Sequence, residues 1–276
     1  MVAKKKKAIS TIPGKMIYHN MDFIDSDIGR PIRIIAEFMA PNQIFQQEGV
    51  ENTIVFFGSA RTLPMCEIKK RRKGCKDKKE LDRLARLEKV AQSYDDAREL
   101  AARLGKWANK RHEGYAIMTG GGPGIMEAGN RGASDVGTPS VGLNIKLPFE
   151  QHPNPYIDDA LNMQFRYFFV RKYWFLKKAH ALVVFPGGFG TLDEMFEMLT
   201  LIQTDKYAQQ MPVVIFDSKF WKKVLNWEYL AETGMINKED LKLFKFCDTV
   251  DDAFKFITAA LEKQEGDSVA QGWHRK

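Results

Sequence analysis

The residues in this chain best placed to do chemistry are carboxylates and an arginine set beside glycine-rich turns. The densest stretch is Phe185-Pro186-Gly187-Gly188-Phe189-Gly190-Thr191-Leu192-Asp193-Glu194. Gly187, Gly188 and Gly190 let backbone N–H groups approach a ligand closely, and Thr191 adds a hydroxyl. A helix starting here contributes about half a positive charge at its N-terminus, so a phosphate is the expected guest. Glu194 brings a carboxylate to the edge of that cradle. The spacing also allows a plainer role, because Thr191-x-x-Glu194 matches a capping box in which the glutamate bonds back to the threonine N–H. Asp193 is turned about 100° from Glu194 on a helix, so the two do not form opposed carboxylates. Asp193 is expected to favour the helix start.

A second loop, Gly120-Gly121-Gly122-Pro123-Gly124-Ile125-Met126-Glu127, has the same character, and a third turn is Gly58-Ser59-Ala60-Arg61. Ser59 offers a hydroxyl. Glu127 stands beside the cradle, where capping or solvation is an equal reading. Neither loop is a dinucleotide fingerprint: counted from Gly120, the last position of G-x-G-x-x-G is Ile125, and counted from Gly188 it is Asp193. No G-x-x-x-x-G-K-[ST] occurs, so the lysine and magnesium ligand of a triphosphate-binding loop are missing. One isolated glycine loop would be explained as well by a tight turn; two of them after two strands favour ligand binding. Arg171 sits in a helical pattern with Phe165, Phe168, Phe169, Leu176 and Ala179. It reads either as a snorkelling surface residue or as a fixed guanidinium that holds a phosphate or polarises a leaving group.

These loops need strands and helices to hold them. Alternating elements begin at Thr53: strands Thr53–Phe57, Tyr115–Thr119, Ser140–Ile145, Ala181–Phe185 and Val213–Phe216 are β-branched or aromatic runs. Helical patterns start near Ile125, Phe165, Leu192 and Lys219, and a last strand and helix fall between Phe244 and Leu261. That order predicts an α/β fold, Rossmann-like and doubly wound, with a mainly parallel sheet. Loops at the carboxyl ends of such strands converge on one crevice, which predicts a mononucleotide-sized pocket. The segment 67–103 reads as a projecting or extended helix carrying Leu81, Leu84, Leu87 and Val90. Residues 1–52 read as a basic tail and helical extension, its helix running from Ile28 to Phe38 and ending before Pro41. Residues 53–264 form one domain, with a charged insertion at about 65–103, and 265–276 read as a polar tail.

The net charge of +7 is concentrated in two runs, Lys4–Lys7 and Lys69–Lys79, which carry +11 between them and leave −4 for the rest. The core is not basic, and with no recognised motif beside the runs a nucleic-acid role is not favoured. Cys66, Cys75 and Cys247 are an odd set with no C-x-x-C pair, no histidine at zinc spacing and no apolar leader, which implies a reducing, cytoplasmic setting. The five histidines show no ligand spacing, and neither a metal nor an organic cofactor is inferred.

With both loops placed, the sequence resembles the LOG family of cytokinin-activating enzymes, formerly labelled lysine decarboxylases. The resemblance rests on Pro186-Gly187-Gly188-Phe189-Gly190-Thr191 with Glu194, and on Gly120-Gly121-Gly122 with Gly124, Ile125 and Met126. It spans roughly Thr53–Phe216, and Leu143 to Glu150 is similar to the longer members. It implies phosphoribohydrolysis: a nucleoside 5′-monophosphate, AMP or an N6-modified AMP, is cut to free base and ribose 5-phosphate. It assigns Arg171 and Glu194 as the catalytic pair. Gly120, Gly121, Gly122, Gly187, Gly188, Gly190, Thr191, Ser59, Lys172 and Glu127 are the phosphate and substrate contacts. Phe168 and Phe169 depart from the family pattern before the arginine, and the usual Trp and Leu-Gly after Glu194 are absent; these departures bear on the base, not on the ribose phosphate. Cleavage of a C1′–N bond passes through an oxocarbenium-like centre, where a carboxylate stabilises charge, binds a hydroxyl or orients water. The resemblance also implies a homodimer or larger homo-oligomer. The competing function is a non-catalytic carrier of a nucleotide or of molybdenum cofactor on the same fold. A pyridoxal-phosphate decarboxylase would need a Schiff-base lysine that no motif supplies.

Overall fold

The computed structural model describes residues 14, 16–111, 113–148, 152–206 and 211–270. The Lys4–Lys7 run, Phe149, Glu150 and the tail beyond Ala270 lie outside them. The chain runs α1 (Met21–Ile24), α2 (Arg30–Gln47), β1 (Asn52–Phe57), α3 (Met65–Arg72), α4 (Lys78–Glu88), α5 (Gln92–Asn109), β2 (Tyr115–Thr119), α6 (Ile125–Ser134) and β3 (Ser140–Ile145). It continues β4 (Asn162–Phe165), α7 (Phe168–Lys178), β5 (Ala179–Val184), α8 (Phe189–Gln203), β6 (Val213–Phe216), α9 (Ser218–Val224), α10 (Trp227–Glu232), β7 (Lys245–Cys247) and α11 (Val250–Ala270).

The strands form one parallel sheet in the order β4-β3-β2-β1-β5-β6-β7. All six residues of β1 are buried, the continuous run expected of a strand covered on both faces. Its side chains alternate between two cores. Val55 and Phe57 join Leu182, Val184 and residues of α7 and α8 on one face. Ile54 and Phe56 join Ala181, Val183 and residues of α5, α6 and α11 on the other. The chain winds outward from β1 to β4, then returns to place β5 on β1's other side. That reversal puts the switch point between β1 and β5, where ligands bind in open α/β sheets.

Several expectations are corrected. The helix of the N-terminal extension does not stop before Pro41 but continues to Gln47. Proline deprives the carbonyl four residues earlier of its partner, and here the Trp174 indole N–H donates to the Glu37 carbonyl at 3.0 Å. The 67–103 segment is not one extended helix but three, interrupted at Gly74, whose φ is +79°, and restarted by Asp77 as a side-chain cap. Ile68, Leu84 and Ala91 give it a small core of its own. Phe165 ends the edge strand β4 instead of opening a helix; burial alternates through its four residues, too short a signal to separate from the aromatic helix that follows. The closing helix runs past residue 264 to Ala270.

Candidate functional site

The three glycine-bearing turns meet at the carboxyl end of the sheet and are tied together by backbone hydrogen bonds. Ser59 N–H donates to the Pro186 carbonyl at 3.0 Å, bridging the loops after β1 and β5 across the switch point. The Ile125 N–H donates to the Ser59 carbonyl, also at 3.0 Å, fastening the start of α6 to the same turn. Gly124 has to be glycine: its φ is +72°, and a Cβ would lie 2.3 Å from the Ser59 oxygen. The Ser59 hydroxyl accepts from the Arg61 N–H at 3.0 Å.

Arg171 and Glu194 form the centre. Arg171 reaches from the first turn of α7, and its Nη2 donates to Glu194 Oε1 at 2.8 Å. The side chains are 10% and 14% exposed, so this is a nearly dry ion pair and not a snorkelling arginine. The guanidinium carbon lies 5.2 Å from the Phe168 ring centre and 5.5 Å from that of Phe175, which fixes its plane. Its Nη1 is 3.8 Å from where a Cβ on Gly120 would stand. One arginine therefore touches the carboxylate of the Gly187–Glu194 motif and borders the glycines of the Gly120–Gly124 loop. The Arg171 Nε–H is buried with no partner among the described residues, a donor left for something else.

The capping-box reading of Glu194 is overturned. Helix α8 begins at Phe189 with Gly188 as its cap and no side-chain cap bond, so Thr191 is already inside the first turn. Glu194 lies a turn later and bonds to Arg171. Burial pushes its carboxyl up to about 7, against the pull of the Arg171 charge. Burial likewise pulls Arg171 below its ordinary value, against the pull of Glu194.

The remaining candidates fall into two groups. Gly121 and Gly122 are buried, while Gly188 and Gly190 are exposed and have nothing within 4 Å of an added Cβ. Thr191 is buried behind Gly187, its hydroxyl 2.2 Å from a Cβ placed there. The hydrogen bonds of the described residues leave the N–H groups of Gly122, Gly188, Gly190 and Thr191 unused by the protein. These are donors of the kind a phosphate takes. Lys172 points away from the cradle, to Asp193 at 2.8 Å and Glu197 at 3.0 Å. The three line a shallow surface hollow of about 500 Å³. Asp193 thus sits beyond the helix start that it was expected to favour. Glu127 accepts from the Tyr94 hydroxyl at 2.6 Å. No group of three or more metal-ligating side chains occurs among the described residues, and no described helix is long and apolar enough to cross a membrane.

Two features of the site escaped the sequence. Glu37, in the N-terminal extension, accepts from the backbone N–H groups of Arg166 at 2.8 Å and Tyr167 at 3.3 Å, holding the entry of the helix that carries Arg171. Asn154 donates to the carbonyls of Gly121 and Gly122, each at 3.1 Å. Neither lies in a motif, and both act across more than thirty residues of chain.

Fold and site together define a Rossmann-like α/β protein whose two glycine loops face a buried arginine–carboxylate pair. Residues 126–257, which hold Arg171, Glu194 and the Gly187–Gly190 loop, match the family model described as possible lysine decarboxylase. That match spans a little under half of the chain, and the LOG resemblance carried by its motifs is borne out. No curated protein matches the sequence. Among solved structures, the molybdenum cofactor binding protein of Rippkaea orientalis is similar at 16% identity, over 76% of this chain and 96% of that one, with a TM-score of 0.46. The molybdenum cofactor carrier protein of Chlamydomonas reinhardtii is similar at 16% identity over 77% and 99%, with a TM-score of 0.45. Likeness at this level carries no functional conclusion.

Proposed function

We propose that the protein hydrolyses the N-glycosidic bond of a nucleoside 5′-monophosphate, AMP or an N6-modified AMP, to free base and ribose 5-phosphate. The observation that carries this reading is the buried Arg171–Glu194 pair at the junction of both glycine loops, with the carboxyl pushed to about 7. The unused N–H groups of the loops take the 5′-phosphate. The C1′–N bond breaks with its electrons going to the base nitrogen, which gains a proton, and the oxygen of water bonds to C1′. Glu194, as carboxylate, stabilises the positive charge developing at the ribose and receives the proton of the attacking water, which passes on to the base nitrogen and leaves the carboxylate ionised again. Arg171 keeps Glu194 oriented, and its unpaired Nε–H is available to phosphate or base.

The test is release of ribose 5-phosphate from a panel of purine and pyrimidine monophosphates. Release from AMP is expected; tight binding of a monophosphate without release supports the carrier function instead. We read the molecule as a homo-oligomer, supported by a stripe of exposed Ile32, Ile35 and Met39 on α2 continued by Phe169 and Tyr173 on α7. Sedimentation of an Ile35→Glu variant as a smaller species than wild type is the expected result. The free thiols of Cys66, Cys75 and Cys247 accord with a cytoplasmic setting, which fractionation tests.

A further inference from the structure

Behind the Gly120–Gly124 loop lies a cluster of polar side chains sealed from solvent, and neither motif contains its central member, Asn130. Asn130 is fully buried, as are Thr119 and Ser140, and Asn154 is 6% exposed. Every hydrogen-bonding group of the Asn130 amide is satisfied. Its Oδ1 accepts from the Thr119 hydroxyl at 2.6 Å and from Asn154 Nδ2 at 2.9 Å. Its Nδ2 donates to Ser140 Oγ at 2.9 Å and to the Val141 carbonyl at 3.1 Å. Asn154 stands in front of this base. Its backbone N–H donates to the Gly121 carbonyl at 2.8 Å, and its Nδ2, with two hydrogens for three acceptors, divides them among Asn130 Oδ1 and the carbonyls of Gly121 and Gly122. Its Oδ1 accepts from the Tyr156 N–H at 3.2 Å.

The consequence follows from peptide geometry. In a planar trans peptide the C=O and N–H point in opposite directions. The Gly121 carbonyl, held from behind by two donors of Asn154, therefore turns the Gly122 N–H away from the cluster, and that N–H has no partner among the described residues. The Gly122 carbonyl is held from the same side by Asn154 Nδ2 alone. Glycine peptides flip readily because no Cβ resists rotation, and a flipped plane would present a carbonyl oxygen to an anion. We propose that Asn154, seated on Asn130, is a positioning residue for the phosphate of the substrate: it withdraws both carbonyls of the loop and so presents the Gly122 N–H to the anion. This rests on the nucleotide reading of the site, though on binding and not on turnover.

The test is calorimetry of Asn154→Ala with AMP, inorganic phosphate and adenosine. AMP and phosphate are expected to bind about tenfold or more weaker than to wild type, with adenosine unchanged, since a bond to a charged group is the one perturbed. Equal binding of AMP by a folded variant, or an equal loss for AMP and adenosine, overturns the proposal. Where alanine unfolds the chain, Asn154→Ser, which keeps a donor for one carbonyl, is read in the same way. In the wild type, phosphate is expected to slow hydrogen exchange at the Gly122 amide, and an unchanged rate overturns the proposal without any substitution. A protein that binds AMP but releases no ribose 5-phosphate refutes hydrolysis and leaves this clamp standing.

Discussion

The two glycine loops have similar sequences and opposite constructions. The loop after β2 is built inward: Gly121 and Gly124 have φ of +73° and +72°, and a Cβ at either would strike Asn144 or the Ser59 carbonyl. Asn154 fixes its carbonyls from behind. The loop after β5 is built outward, with Gly188 and Gly190 open to solvent and no side chain capping the helix behind them. Glycine is required by the fold in the first loop and, in the second, at Gly187, which Thr191 backs; at Gly188 and Gly190 only what approaches from outside demands it. One loop is a fixed wall and the other an accessible rim, with Arg171–Glu194 between them.

That contrast is breakable at four points, taken in order of expected effect. Glu194→Gln keeps the size of the side chain and an oxygen for Arg171 to donate to, though it removes the counter-charge of the buried guanidinium, so a folded, less stable protein with turnover lowered about 100-fold or more is expected in a ribose 5-phosphate assay. Wild-type activity would remove the carboxylate from the mechanism. Next is pH: if the ionised Glu194 is the working form, turnover rises about tenfold per unit up to about 7 and then levels. Because the folded state holds this proton more tightly than the unfolded chain, the group's contribution to stability declines as pH climbs from 4.5 to about 7. A rate profile flat between pH 5 and 8 contradicts both the raised value and the role.

Third, Gly124→Ala must place a Cβ against backbone at a left-handed φ. It is expected to cost about 2 kcal/mol or more of stability, read from denaturant melts. Smallest is Gly190→Ala, in open space inside α8, where alanine favours the helix by about 0.5–1 kcal/mol. An unchanged or raised melting temperature together with weaker AMP binding marks the rim as a ligand surface. Equal destabilisation by the two alanines would erase the contrast.

The strands that carry the loops were legible because burial on both faces demands unbroken apolar runs: Tyr115–Thr119, Ser140–Ile145 and Val213–Phe216 appear at the residues expected. The glycine spacing likewise disclosed the two loops and the family resemblance. The edge strand β4 and the continuation of α2 through Pro41 were not legible, because each depends on a distant partner: β3 for the first, and the Trp174 indole for the second.

By itself, then, the sequence determined the parallel α/β order, the two cradles and the candidates Arg171 and Glu194, since local spacing encodes strands, turns and helix starts. Tertiary structure decided what those candidates are. Thr191-x-x-Glu194 fits a capping box in any isolated helix, and only the approach of α7 pairs Glu194 with Arg171 and buries both. Burial then sets the carboxyl near 7, a value no spacing contains, because desolvation is a property of everything packed around a group and not of its neighbours in the chain.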